Sequence, residues 1–203
     1  TSWSSCKRSV RMGKLKKIIL VGDSIRMHYQ EIVRRELAGR AEVTWPDENG
    51  ESSEKVLRHI EEWVLPHTPD IIQVNCGLHD LKRKFDAHQP AFTMDQYRSN
   101  VHSIMSWLVE QTQSVVIWAA TTPVIQAWHR DTKGFDRLEA DVIAFNRAAA
   151  EVAAELGVVI NNLYSVVIEA GPERYLRPDG VHFNDAGNIL LGKAVAGFLK
   201  SYL

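Results

Sequence analysis

The sequence predicts an α/β fold, a three-layer α/β/α sandwich built around an open parallel sheet. Five strand candidates recur along the chain, and short apolar runs of this kind suit a parallel sheet buried on both faces. Amphipathic stretches of helical period lie between them, and β-α alternation of this kind builds a sheet covered by helices on both sides. The 203 residues suffice for one domain with a full core.

The first strand is expected at 17–22, where Ile18-Ile19-Leu20-Val21 runs into Gly22. A helix follows over 25–38, with Gly39 where a helix C-terminal glycine is expected. The second strand falls at 41–45. The next helix, 53–64, is capped by Ser52 or Ser53. A third strand at 70–75 leads to a helix over 93–111 with Asp95 in its first turn. The fourth strand, 114–120, precedes a helix over 137–155 that Gly157 closes. The fifth strand, 158–162, and a last helix, 185–202, complete the series. Two stretches break the rhythm, 81–92 and 124–136. Both follow strands and so belong at the carboxyl ends of the sheet, where open α/β folds bind ligands. They are either rim loops for substrate or plain solvated connections.

Composition excludes several function classes. Net charge is −1, so no global field draws in nucleic acid. No apolar run approaches the roughly 20 residues of a membrane helix. Cys6 lies in a polar leader and Cys76 in a buried-looking strand, so no disulfide framework is expected. Residues 1–13 read as a polar leader ahead of a single domain over 14–203. The leader has no apolar signal-peptide core, and Met12-Gly13-Lys14 looks like a natural start. A cytoplasmic protein is expected, with secretion left open by a signal removed upstream. The eight histidines form no zinc-binding pattern with a carboxylate, and no glycine-rich phosphate loop is present. No metal and no cofactor are expected.

The chemistry sits at the two ends of the chain. Gly22-Asp23-Ser24 places a serine where a buried strand turns into a helix. Asp179-Gly180-Val181-His182 places an aspartate three residues before a histidine. Serine, aspartate and histidine are the parts of a nucleophilic triad: the base takes the hydroxyl proton, and the carboxylate fixes the imidazole tautomer. The competing structural readings are a helix cap for Ser24 and a turn for Asp179. Position 26 is Arg, so the Gly-x-Ser-x-Gly elbow of α/β-hydrolases is not met.

Gly22-Asp23-Ser24-Ile25, Gly50, Gly77-Leu78-His79-Asp80 and Asp179-x-x-His182 stand in the order of the blocks of the SGNH hydrolases, or GDSL-type esterases. The chain resembles that family from about residue 16 to its C-terminus. The resemblance implies a flavodoxin-like five-stranded parallel sheet of order 2-1-3-4-5. It implies Ser24 as nucleophile, His182 as base and Asp179 as its orienter. It also implies an oxyanion hole made by the N–H groups of Ser24 and Gly50 and by the third block. That block usually carries Asn where this chain has His79, whose ring N–H donates only in the right tautomer or charge state. Asp80 is expected to brace its loop or to partner His79. Arg26 and Trp128 are candidate substrate contacts, the first for an anionic or hydroxyl-rich group and the second for a sugar.

The implied activity is a serine esterase acting through an acyl-enzyme on small acyl esters, acetyl first, with an O-acetylated carbohydrate as the first substrate to consider. The implied partner is a small-molecule ester substrate. A thioesterase or lysophospholipase on the same site is the alternative within enzymes. A binding module that keeps the fold without the chemistry is the alternative outside them.

Overall fold

The computed structural model describes residues 14–203; the leader 1–13, with Cys6 and Met12, lies outside the described residues. The strands are β1 (Lys16–Val21), β2 (Ala41–Thr44), β3 (Ile71–Val74), β4 (Val115–Ala119) and β5 (Val159–Asn161). They form one all-parallel sheet in the order β2-β1-β3-β4-β5, the flavodoxin-like order expected. Ile18 of β1 stands level with Val43 on one side and Ile71 on the other. Every residue of β3 is buried, as are Ile18 to Val21 of β1. Full burial of each such aliphatic side chain contributes about 1.5–3 kcal/mol.

Helix α1 (Ser24–Glu36) packs on α8 (Asp185–Leu199), with α6 (Leu163–Ala170) and α7 (Pro172–Tyr175) beside it. Helices α2 (Ser53–Val64), α3 (Met94–Gln111) and α5 (Glu139–Leu156) form a second group. Thr93 caps α3 in a reciprocal capping box with Gln96, Ser52 caps α2, and Gly157 closes α5 in a left-handed conformation. Helix α1 stops at Glu36 with Leu37 as its cap, so Gly39 belongs to the following turn.

The segment expected as a rim loop at 124–136 contains a further helix, α4 (Gln126–Thr132). At seven residues, with no side-chain cap, it is too short to print a helical period on the sequence. Its far end pairs with the other irregular stretch. The Arg83 N–H donates to Asp136 O at 2.9 Å and the Asp136 N–H returns to Arg83 O at 2.8 Å. The two segments therefore form one rim at the carboxyl edge of the sheet.

Candidate active site

The chain reverses at β1/β3 in this strand order, which opens a crevice at their carboxyl ends. Ser24 is the first residue of α1, just past β1. Asp23 is the cap: its Oδ1 accepts the Ile25 N–H at 2.9 Å. Because the aspartate does the capping, the Ser24 hydroxyl is free for another partner. That partner is His182, whose Nε2 lies 2.9 Å from Oγ. The Ser24 N–H, at the start of the helix, makes no backbone hydrogen bond among the described residues.

His182 is held from behind by Asp179. Its Nδ1 is 2.6 Å from Asp179 Oδ2. Asp179 Oδ1 accepts the backbone N–H groups of Val181 at 3.1 Å and His182 at 2.9 Å, so the carboxylate is pinned by its own turn. Gly180 makes that turn with φ +65°, where a Cβ would lie 2.4 Å from the Ile125 carbonyl. Burial pushes the Asp179 carboxyl up, but the hydrogen bonds from His182 and Val181 outweigh it and hold the pKa at about 2.

Two histidines to which the sequence assigned no role steady this arrangement. His129 of α4 is fully buried, and its Nδ1 contacts the Asp179 carbonyl at 3.0 Å. His28, one helical turn from Ser24, meets the His182 ring edge-on at 5.7 Å. Both have pKa values lowered, chiefly by burial.

The third block also converges on Ser24. His79 lines the same cavity as Ser24 and His182, of about 290 Å³. Lys82 Nζ lies 3.1 Å from His79 Nδ1. An ammonium only donates, so Nδ1 is the acceptor and the ring proton sits on Nε2. Burial, with the Lys82 and Arg137 charges added, pushes the His79 pKa down to about 4, which keeps the ring neutral at pH 7. Asp80 does not partner His79. It is buried and accepts from Ser53, at 2.9 Å from the N–H and 2.5 Å from the hydroxyl, bracing the loop onto the start of α2. Burial raises its pKa to about 6.

Three expected contacts fall elsewhere. The Gly50 N–H donates to the Gly22 carbonyl at 2.9 Å and is spent there. Gly50 is needed for that close approach, since a Cβ would sit 2.8 Å from the Gly22 oxygen. Its neighbour Asn49 lines the cavity instead, with Oδ1 accepting the Glu51 N–H at 2.9 Å. Arg26 is only 2% exposed, and its guanidinium binds the carbonyls of Gly22, Pro46 and Glu48 and the Gln30 amide oxygen. It staples the loop after β2 to α1 and does not line the cavity that holds Ser24. Trp128 lines a separate cavity of about 340 Å³ with Asp131 and Pro178.

Residues that the sequence left unassigned complete the walls: Lys82, Lys133, Phe135 and Arg137, all from the rim segments or their edge. Among the described residues no group of three His, Cys, Asp or Glu side chains is placed to hold a metal ion, and no helix is long and apolar enough to cross a membrane.

Solved structures of similar fold include ester hydrolases. A lipase/acylhydrolase from Enterococcus faecalis superposes with a TM-score of 0.76 at 22% identity, covering 93% of this chain and 97% of that one. An acetyl xylan esterase gives 0.73 at 18% identity, covering 90% and 99%. An acetylxylan esterase from Geobacillus stearothermophilus gives 0.70 at 18% identity, covering 93% and 94%. No curated protein sequence matches the chain. The GDSL-like lipase/acylhydrolase family model matches residues 20–189, most of the chain, and the chain belongs to that family of ester hydrolases.

Proposed function

We propose that the protein hydrolyses small acyl esters, acetyl esters first, with Ser24 as nucleophile, His182 as general base and acid, and Asp179 as the orienter of His182. The observation that carries this reading is the unbroken line Ser24 Oγ–His182 Nε2–His182 Nδ1–Asp179 Oδ2, with contacts of 2.9 and 2.6 Å, ending in an open cavity. Ser24 attacks the ester carbonyl as His182 takes the hydroxyl proton onto Nε2. Asp179 stabilises the imidazolium without taking its proton. The tetrahedral oxyanion is met by the Ser24 N–H and by His79 Nε2–H, with the Asn49 side-chain amide as a further donor from the cavity wall. His182 then gives its proton to the leaving alcohol, and an acyl-serine remains. A water attacks that ester, His182 again takes the proton, and the acid leaves as Ser24 is reprotonated.

A cavity of about 290 Å³ lies at the small end of ligand sites, which favours a short acyl group over a fatty chain. The two acetyl xylan esterases of like fold support acetyl esters of carbohydrates as the first substrates to try. The test is a 4-nitrophenyl ester series from acetate to octanoate, followed by acetylated xylo-oligosaccharides. The reading expects kcat/KM to be highest at acetate and to fall beyond butyrate. A rise toward octanoate would contradict the short acyl group and favour a lipid ester.

A further inference from the structure

We infer that the substrate of this site carries an anionic group close to the ester, received by Arg137. The inference rests on the esterase reading above and names the substrate class for it. Arg137 is 5% exposed, yet it lines the cavity that holds Ser24 and His182. Its Nε donates to the Leu78 carbonyl at 2.6 Å, and its guanidinium lies 5.1 Å from the centre of the Phe135 ring. Among the described residues no carboxylate comes within ion-pair distance, and its terminal nitrogens make no hydrogen bond to protein. Asp23 and Asp179 act on it only from farther away.

The other buried arginine sets the contrast. Arg26 spends its guanidinium on three backbone carbonyls and one side-chain amide, so its burial is matched by acceptors. Arg137 has one. A buried guanidinium left without a counter-charge is costly, and Arg137 lines the cavity where substrate must sit.

Two more cations share the wall. Lys82 and Lys133 line the same cavity, Lys82 at His79 and Lys133 3.7 Å from Asp179. Of the carboxylates near this wall, Asp179 holds His182, Glu51 pairs with Lys55 at 2.9 Å, and Asp23, whose Oδ1 caps α1, reaches Arg137 and Lys82 only at longer range. A neutral ester leaves this charge unmatched. A carboxylate offers the Arg137 fork two parallel acceptors and gives the lysines a counter-ion. An adjoining cavity of about 370 Å³ shares Lys82 and Phe135 and adds Lys84, which extends the cationic surface beyond the ester.

The anion can sit on the alcohol or on the acyl side, and two substrate pairs separate these. On the alcohol side, 4-acetoxybenzoate is compared with its methyl ester. On the acyl side, mono-4-nitrophenyl succinate is compared with 4-nitrophenyl methyl succinate. Rates are corrected for the enzyme-free hydrolysis of each ester, which for the succinate half-ester includes attack by its own carboxylate. The expected result is a preference in kcat/KM for the anion of more than about fivefold in at least one pair, a floor set below the roughly tenfold or more that one added charged hydrogen bond gives. The preference shrinks in 0.5 M salt and drops to about twofold or less in Arg137→Gln, while Arg137→Lys keeps part of it. Using the ratio within each variant removes any general damage to the site. If Arg137→Gln does not fold, Lys133→Gln reads the same ratio with a smaller expected drop. A ratio below about fivefold in both pairs, or one unchanged in the variants, overturns the proposal while ester turnover itself still stands. If the wild type turns over none of the four esters, it is the esterase reading that fails. Calorimetry of 4-acetoxybenzoate and its methyl ester on Ser24→Ala then decides the anion site: tighter binding of the acid supports it, and equal binding overturns it.

Discussion

Asp179 Oδ2 lies 2.6 Å from His182 Nδ1 while its other oxygen accepts two backbone N–H groups of the same turn. The carboxylate is therefore fixed before it fixes the histidine. Asp179→Asn keeps the turn acceptor but offers His182 an amide N–H or a weaker acceptor. A drop in kcat of up to about 10⁴-fold is expected on 4-nitrophenyl acetate, with little change in KM. A kcat near that of the wild type would mean that His182 is oriented by another group.

The same bonds give Asp179 a signature in stability. Its carboxyl titrates at about 2 in the fold, below the ordinary value of 3.8. The unfolded chain binds the proton more readily, so this contribution is fully present above about pH 5 and fades as pH falls through 3.8 toward 2. Urea denaturation of wild type and Asp179→Asn between pH 2 and 5 should show the difference in stability shrinking toward the acid end. A difference that stays constant across that window would contradict the assignment.

His79 stands where the family's third block usually has Asn. Truncation to Ala should cost about 10²–10³ in kcat with KM nearly unchanged, because the bond forms mainly in the transition state. His79→Asn restores an amide donor and should retain much more activity than Ala, whereas His79→Phe should behave like Ala. Equal rates for wild type, Ala and Asn would show that the oxyanion is held without this residue.

Lys82 is the group that leaves the His79 proton on Nε2. Lys82→Met frees the ring to take the other tautomer, and kcat on a neutral aryl acetate should fall by several-fold. In a His79→Asn background the same change should do little, since the amide has no tautomer to lose. The double-mutant cycle reads this coupling directly. Additive losses would assign Lys82 a role independent of His79.

Much of this was legible because the signals are local. β1 and β4 hold continuous apolar runs, β2 (Ala41–Thr44) alternates buried and more exposed positions, and the sheet order expected from the resemblance is the order found. Ser24, Asp179 and His182 stood in short blocks, and the structure brings them into one hydrogen-bonded line. What the sequence hid is tertiary. Arg26 looked close to the site because it is two residues from Ser24, but two residues turn a helix by about 200°, which sends the guanidinium to the opposite side. His28, four residues from Ser24, shares its face, and no pattern in the sequence assigned it a role. Arg137 read as the first residue of a helix, whereas that helix begins at Glu139 and Arg137 closes a loop under Leu78. No pattern in the sequence announces that the Gly50 N–H is spent on Gly22, because the partner lies 28 residues away.

The central claim is that Ser24 is the nucleophile, and covalent labelling tests it most directly. Wild-type protein is treated with a fluorophosphonate probe and the modified peptide is sequenced by mass spectrometry, with Ser24→Ala in parallel. The account predicts one labelled residue, Ser24, with labelling and 4-nitrophenyl acetate hydrolysis both lost in Ser24→Ala while the far-UV dichroism is unchanged. Label on a different serine, or full hydrolysis by the folded Ser24→Ala protein, would contradict it.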